Sequence, residues 1–218
     1  MRLISGLLLS VAALLPLACS ATEAAPPQYK LGTDYARVRA IAPAPNPKRI
    51  QVEEFFWYGC PHCYDFDPDI TAWAAHKAAD VDFVRVPNSL GRPSGILDSR
   101  AFYTAEALNF GDKMHKPFFD AIHKYNQPMN TEAQIQAFFT AQTGVMPGIF
   151  TSTFNSFAVD SKVRRAEQLA QDYGIDSVPT VVVGGEYYTN GSLAKGFPDV
   201  IKVIDFLVDK VRKERAGK

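Results

Sequence analysis

The sequence predicts an α/β protein: a mixed central sheet flanked by helices, with an all-helical segment inserted in its middle. Three patterns predict it. An aromatic and β-branched run at residues 51–58 is followed by a helical pattern over 61–79 and a second β-branched run over 81–86, a βαβ unit. Residues 90–156 then lack strand character. The chain finally returns to two short strands joined by Gly184-Gly185, a favoured hairpin turn, and closes with an amphipathic helix over 198–212.

Residues 35–38 are a candidate first strand, separated from 51–58 by the Pro43/Pro45/Pro47 loop. The 51–58 run suits a central strand buried on both faces. Pro61 falls in the first helical turn, where proline costs nothing, and the 81–86 run stops at Pro87. In the middle, residues 95–110, 113–125 and 131–143 space their apolar residues helically between breakers at Gly111, Pro128 and Gly144 to Pro147. Ile135, Phe138 and Phe139 lie three and four apart, and Thr131 opens its run as a cap. Residues 159–173 form a further helix ended by Gly174, and 180–183 and 186–189 are the hairpin strands. The expected organisation is a leader over 1–21, the sheet domain over 22–89 and 157–218, and the helical insertion over 90–156.

The leader has the pattern of a secretory signal peptide. Arg2 is followed by an almost wholly apolar stretch over 3–17 and by small residues at Ala18, Cys19, Ser20 and Ala21, so cleavage is expected after Ser20 or Ala21. Cys19 raises the alternative of a lipid-modified N-terminus, but Pro16 stands where such a signal wants an aliphatic residue, and Cys19 is expected to leave with the leader. Residues 22–28, with Pro26-Pro27, read as a flexible lead into the domain. No later segment reaches 18 apolar residues, so no membrane span is expected. Lys+Arg and Asp+Glu both total 23, and removing Arg2 leaves 22 against 23, a net charge of −1. That balance argues against a nucleic-acid partner.

Without Cys19, two cysteines remain: Cys60 and Cys63. An exported chain meets an oxidising compartment, but a bridge across two residues closes too short a loop to stabilise much. The pair is better explained by thiol–disulfide chemistry. A helix starting at Pro61 puts Cys60 at its N-terminus, where free backbone N–H groups favour a thiolate. Cys63 lies three residues on, on the same face and nearer the interior. Cys60 is thus presented to substrates and Cys63 resolves or reforms the bridge. Lowering a thiol from ~8.5 to ~5.5 requires about 4 kcal/mol, and a helix end supplies at most ~2 kcal/mol. His62, between the cysteines, is expected to add a donor or a positive charge.

The segment Phe55-Phe56-Trp57-Tyr58-Gly59-Cys60-Pro61-His62-Cys63-Tyr64 resembles the active-site segment of the DsbA family of bacterial disulfide oxidases. Glu54 six residues before the first cysteine, Val178-Pro179 before a strand, Asn155-Ser156-Phe157 before the second long helix, and the order of elements extend the likeness over most of the chain after residue 30. The resemblance implies a thioredoxin fold with an inserted helical domain. It further implies a periplasmic enzyme that donates its Cys60–Cys63 disulfide to newly exported proteins and is reoxidised by a quinone-linked membrane partner. No cofactor beyond the dithiol pair and no metal is expected, and a monomer is the default.

Glu54 alternates with Val52 and Phe56 on one strand face, an awkward place for a charge. By its residues alone it is equally a strand-end carboxylate reaching water. The resemblance makes it a buried carboxyl beneath Cys63 that passes protons during exchange. The resemblance likewise implies a cis Val178–Pro179 bond facing the cysteines, leaving a backbone edge for an extended substrate, with Val178 helping to set substrate preference. Trp57 and Tyr58 are expected to form an exposed apolar patch for unfolded chains. Tyr64 and Asp67 read as solvated or packed helix residues, and His76, His115 and His123 carry no assigned role. Three alternatives stay open. A reductase is one. An isomerase would want a dimerisation module that residues 22–50 scarcely provide. A soft-metal clip or chaperone-like binder built on CxxC would want a His or Met cluster that is missing.

Overall fold

The computed structural model describes residues 29–41 and 46–217. The leader with Cys19, and Pro43 and Pro45 of the proline loop, lie outside them. Five strands form one sheet: β1 (Ala36–Arg37), β2 (Ile50–Phe56), β3 (Val81–Pro87), β4 (Thr180–Val183) and β5 (Tyr187–Asn190). Their order is β1-β5-β4-β2-β3, with β2 and β3 parallel and the other pairs antiparallel. The parallel pair is joined through α1 (Pro61–His76), the βαβ half, and β4–β5 is the hairpin half. Between β3 and β4 come α2 (Pro93–Ala107), α3 (Gly111–His123), α4 (Glu132–Thr143), α5 (Pro147–Phe154) and α6 (Phe157–Tyr173). The chain closes with α7 (Phe197–Ala216).

The sheet has a core on each face. Alternation along β4 sends Val181 and Val183 to one side, where Phe66 and Ile70 of α1 and Leu207 and Val211 of α7 pack, and Val182 to the other, against the helices of the insertion and α6. Phe55, Phe56, Phe119, Phe139 and Phe150 are all under 2% exposed on the insertion side, each worth about 2–3 kcal/mol in burial. β2, between β4 and β3, is buried on both faces, so its neighbouring Glu53 and Glu54 enter opposite layers.

Two local expectations are corrected. The first helix stops at His76, not at 79, because Lys77 turns extended and Ala78 accepts the Val81 N–H in the turn that starts β3. The Gly144–Pro147 breaker ends α4 at a left-handed Gly144, and Pro147 then occupies the first turn of α5, whose Phe150 and Phe154 are buried. Tyr58 is 3% exposed and sits in the core, so it does not belong to a surface patch. Thr131 caps α4 through a reciprocal box with Gln134.

Candidate active site

β2 ends at Phe56 and the chain turns over residues 57–60, the Cys60 N–H donating to the Trp57 carbonyl at 3.0 Å. Gly59 leaves room in that turn for the Trp57 ring, which an added Cβ, 2.4 Å away, would force to move. Trp57 is half-buried beneath Arg92, whose guanidinium lies 5.0 Å from the indole centroid. Cys60 caps α1, with Pro61 at its first position, and the Cys60 carbonyl accepts the N–H groups of Cys63 and Tyr64. Cys60 keeps 8% of its surface exposed and Cys63 none. Both are free thiols.

Their surroundings drive the two sulfurs apart. The Cys60 thiol is lowered to about 6, first by a hydrogen bond from the Cys63 thiol; burial opposes this, and the backbone N–H groups of Cys63 and His62 add to it. The exposed His62 ring adds its positive charge as the last of these causes, and the largest is the Cys63 thiol, which the sequence did not point to. Cys63 is pushed far up by burial, by its hydrogen bond to Cys60 and by the Cys60 charge. At neutral pH one sulfur is anionic and the other is not.

The Val178–Pro179 peptide bond is cis, and the Cys60 Sγ lies 3.6 Å from the Val178 carbonyl oxygen, which accepts from it when it is a thiol. The loop before β4 therefore borders the one cysteine with exposed surface among the described residues. Glu54 is 2% exposed, and burial raises its carboxyl to about 7, with Arg85 working against the rise and Asp67 adding to it. One Glu54 oxygen lies 3.3 Å from Arg85 Nε, and Arg85 Nη2 lies 3.2 Å from Asp67 Oδ1. Asp67 and His115 are thus buried and paired with each other, packed and not solvated. His123 donates from Nε2 to the Tyr58 carbonyl at 2.7 Å and stacks on Tyr64 at 4.9 Å, while His76 lies exposed on its own helix.

Two further carboxyls were missed from sequence. Burial raises Glu53 to about 7 against a hydrogen bond from Tyr173, and raises Asp98 to about 7 beside the Trp57 indole and the Gly59 backbone. For Glu53 the signal was available, because consecutive residues on a strand buried on both faces must each enter a layer. Asp98 had none. Among the described residues no cluster of three or more His, Cys, Asp or Glu is placed to hold a metal ion, and no helix is long and apolar enough to cross a membrane.

Residues 69–198 match the family model of the DSBA-like thioredoxin domain. That match begins beyond Cys63, and the near-full-length relatives align across residues 60–63 as well. The chain is 39% identical to the thiol:disulfide interchange protein DsbA of Burkholderia cepacia over 98% of its length and 99% of that protein. It is 37% identical to the Pseudomonas aeruginosa protein of that name, over 97% of each. The crystal structure of Pseudomonas aeruginosa DsbA superimposes with a TM-score of 0.81 at 37% identity, over 87% of this chain and 97% of that one. The oxidoreductase DsbA of Xylella fastidiosa superimposes with a TM-score of 0.74 at 33% identity, over 83% and 96%.

Proposed function

The chain belongs to the DsbA family and is a thiol–disulfide oxidoreductase that oxidises cysteine pairs of exported proteins; we propose that Cys60 and Cys63 form the pair that cycles between dithiol and disulfide. The observation that carries this is the split between the two sulfurs, Cys60 lowered to about 6 and Cys63 buried and raised. A substrate thiolate attacks the Cys60 sulfur of the enzyme disulfide, and the Cys63 sulfur leaves and takes up a proton. A second substrate thiolate then attacks the substrate sulfur of the mixed disulfide and expels Cys60 as a thiolate. The substrate loses two electrons and the enzyme gains them.

Glu54, with its carboxyl near 7, supplies the proton to Cys63 and recovers it on reoxidation. Pro61 starts the helix that presents Cys60, and His62 adds positive charge beside the sulfur. Val178 and Pro179 offer their backbone edge to the extended substrate. Reoxidation is the reverse exchange with a quinone-linked membrane partner, in the periplasm, and it needs no cofactor beyond the dithiol pair. The leader pattern over 1–21 supports that location.

Holding the Cys60 thiolate at about 6 favours the reduced enzyme at pH 7 by about 1.4 kcal/mol, or ~30 mV. The test is the redox equilibrium of the mature protein in glutathione buffers, followed by the fluorescence of Trp57 or by thiol trapping. A potential well above the roughly −270 mV of a thioredoxin-type reductant supports the disulfide donor. A potential at or below that value refutes it and favours a reductase.

A further inference from the structure

Tyr58, two residues before Cys60, is gripped at both ends by α3. Its hydroxyl lies 2.9 Å from His115 Nδ1, and its carbonyl accepts from His123 Nε2. His115 Nε2 in turn lies 3.1 Å from Asp67 Oδ1. That same oxygen accepts from Thr71 at 3.1 Å and from Arg85 Nη2 at 3.2 Å, and Arg85 Nε faces Glu54. His115 is 5% exposed, enclosed by the rings of Phe56, Phe102 and Phe119. Burial, opposed by the Asp67 bond and reinforced by Arg85, pulls its imidazole below the ordinary histidine value. Asp67, although buried, is held below the usual carboxylate range by His115 and Arg85. A neutral ring beside an ionised carboxylate has one consistent arrangement: Nε2–H donates to Asp67, and Nδ1 accepts the Tyr58 hydroxyl proton.

One guanidinium therefore serves two buried carboxyls. How much of the Arg85 charge reaches Glu54 depends on how far Asp67 is satisfied by other donors, and the described donors are Thr71, on its own helix, and His115, from the insertion. We propose that His115 is a positioning residue for the exchange reaction, fixing Asp67 and thereby the share of the Arg85 charge that reaches Glu54. This rests on Glu54 as the proton donor and acceptor for Cys63. The other charged groups around the ring are Asp112, on the same helix, and Glu106 of α2, which lines the same hollow beside His115.

Removing the Nε2–H leaves Asp67 drawing harder on Arg85, Glu54 less compensated, and its protonation midpoint higher. The experiment is the pH profile of mixed-disulfide resolution by the full mature protein, with melting temperature and circular dichroism as controls on folding. His115→Gln places an amide N–H near the Nε2 position and keeps the Asp67 bond. His115→Asn keeps an acceptor for Tyr58 but is too short for Asp67. The expected result is a profile near wild type for His115→Gln and a midpoint raised by about half a pH unit or more for His115→Asn and His115→Leu. A role confined to supporting Tyr58 would reverse the order of the Gln and Asn variants and overturn the proposal. Wild-type profiles for Asn and Leu, with Glu54→Gln flattening the profile, would overturn it while leaving the Glu54 reading intact. A wild-type profile for Glu54→Gln would remove both.

Discussion

The Tyr173 hydroxyl donates a 2.9 Å hydrogen bond to Glu53, 120 positions away, tying the end of α6 to the central strand. Because that carboxyl is raised to about 7 by burial, the folded state holds its proton over a range where the unfolded chain has released it. Its contribution to stability is full below the ordinary value of 4.5 and is lost as pH rises through about 7. Glu53→Gln keeps a neutral acceptor for Tyr173. The variant is expected to gain about 2 kcal/mol relative to wild type on going from pH 5 to pH 7.5, read by urea denaturation of the reduced proteins at both pH values.

Cys63 is the largest influence on the Cys60 thiolate. Cys63→Ala removes the donor and Cys63→Ser replaces it with a hydroxyl. Thiolate absorbance at 240 nm should titrate about one unit or more higher in the alanine variant than in the serine variant. Equal midpoints would assign the lowering to the helix end and His62 instead.

Arg85 lies between Glu54 and Asp67, with side chains 14%, 2% and 9% exposed. Arg85→Leu strands two buried carboxyls and should cost about 3 kcal/mol at pH 8. The loss should be smaller at pH 5, where Glu54, with its carboxyl near 7, has taken up a proton. Denaturant melts at the two pH values measure both figures.

For Glu54→Gln, resolution of a mixed disulfide trapped on Cys60 should slow about tenfold at pH 7, with the melting temperature retained, because the neutral amide removes a charge from the core. Stopped-flow release of a fluorescent peptide thiol reads the rate. An unchanged rate across pH would leave Glu54 only a structural part beside Arg85.

Features settled within a few residues were legible in the sequence. The cysteine motif at a helix start needs only the turn before it and Pro61 after it. Gly184-Gly185 defines the hairpin by its positive φ values of 66° and 70°, and Thr131 and Gln134 cap a helix they themselves begin. α5 was not legible because Pro147 reads alike as a stop and as a first-turn residue, and the choice is made by the burial of Phe150 and Phe154. Tyr58 reads as surface beside the motif, and only the packing of α3 on the active-site turn buries it and provides His115 for its hydroxyl.

The sequence by itself determined the order of the strands and of every helix but α5, the paired cysteines with their unequal positions on one helix, and an exchange chemistry confined to sulfur. These follow from spacing, backbone preference and the field of a helix end, which act over a turn or two. Only the tertiary structure decided which groups surround those sulfurs. The Cys60 thiol meets the Val178 carbonyl 118 positions away, and Asp67 meets His115 across 48. The charge on a buried carboxyl depends on how much water is excluded and which partner replaces it, and both are properties of the packed layers, fixed only when α1, α3, β2 and β3 come together.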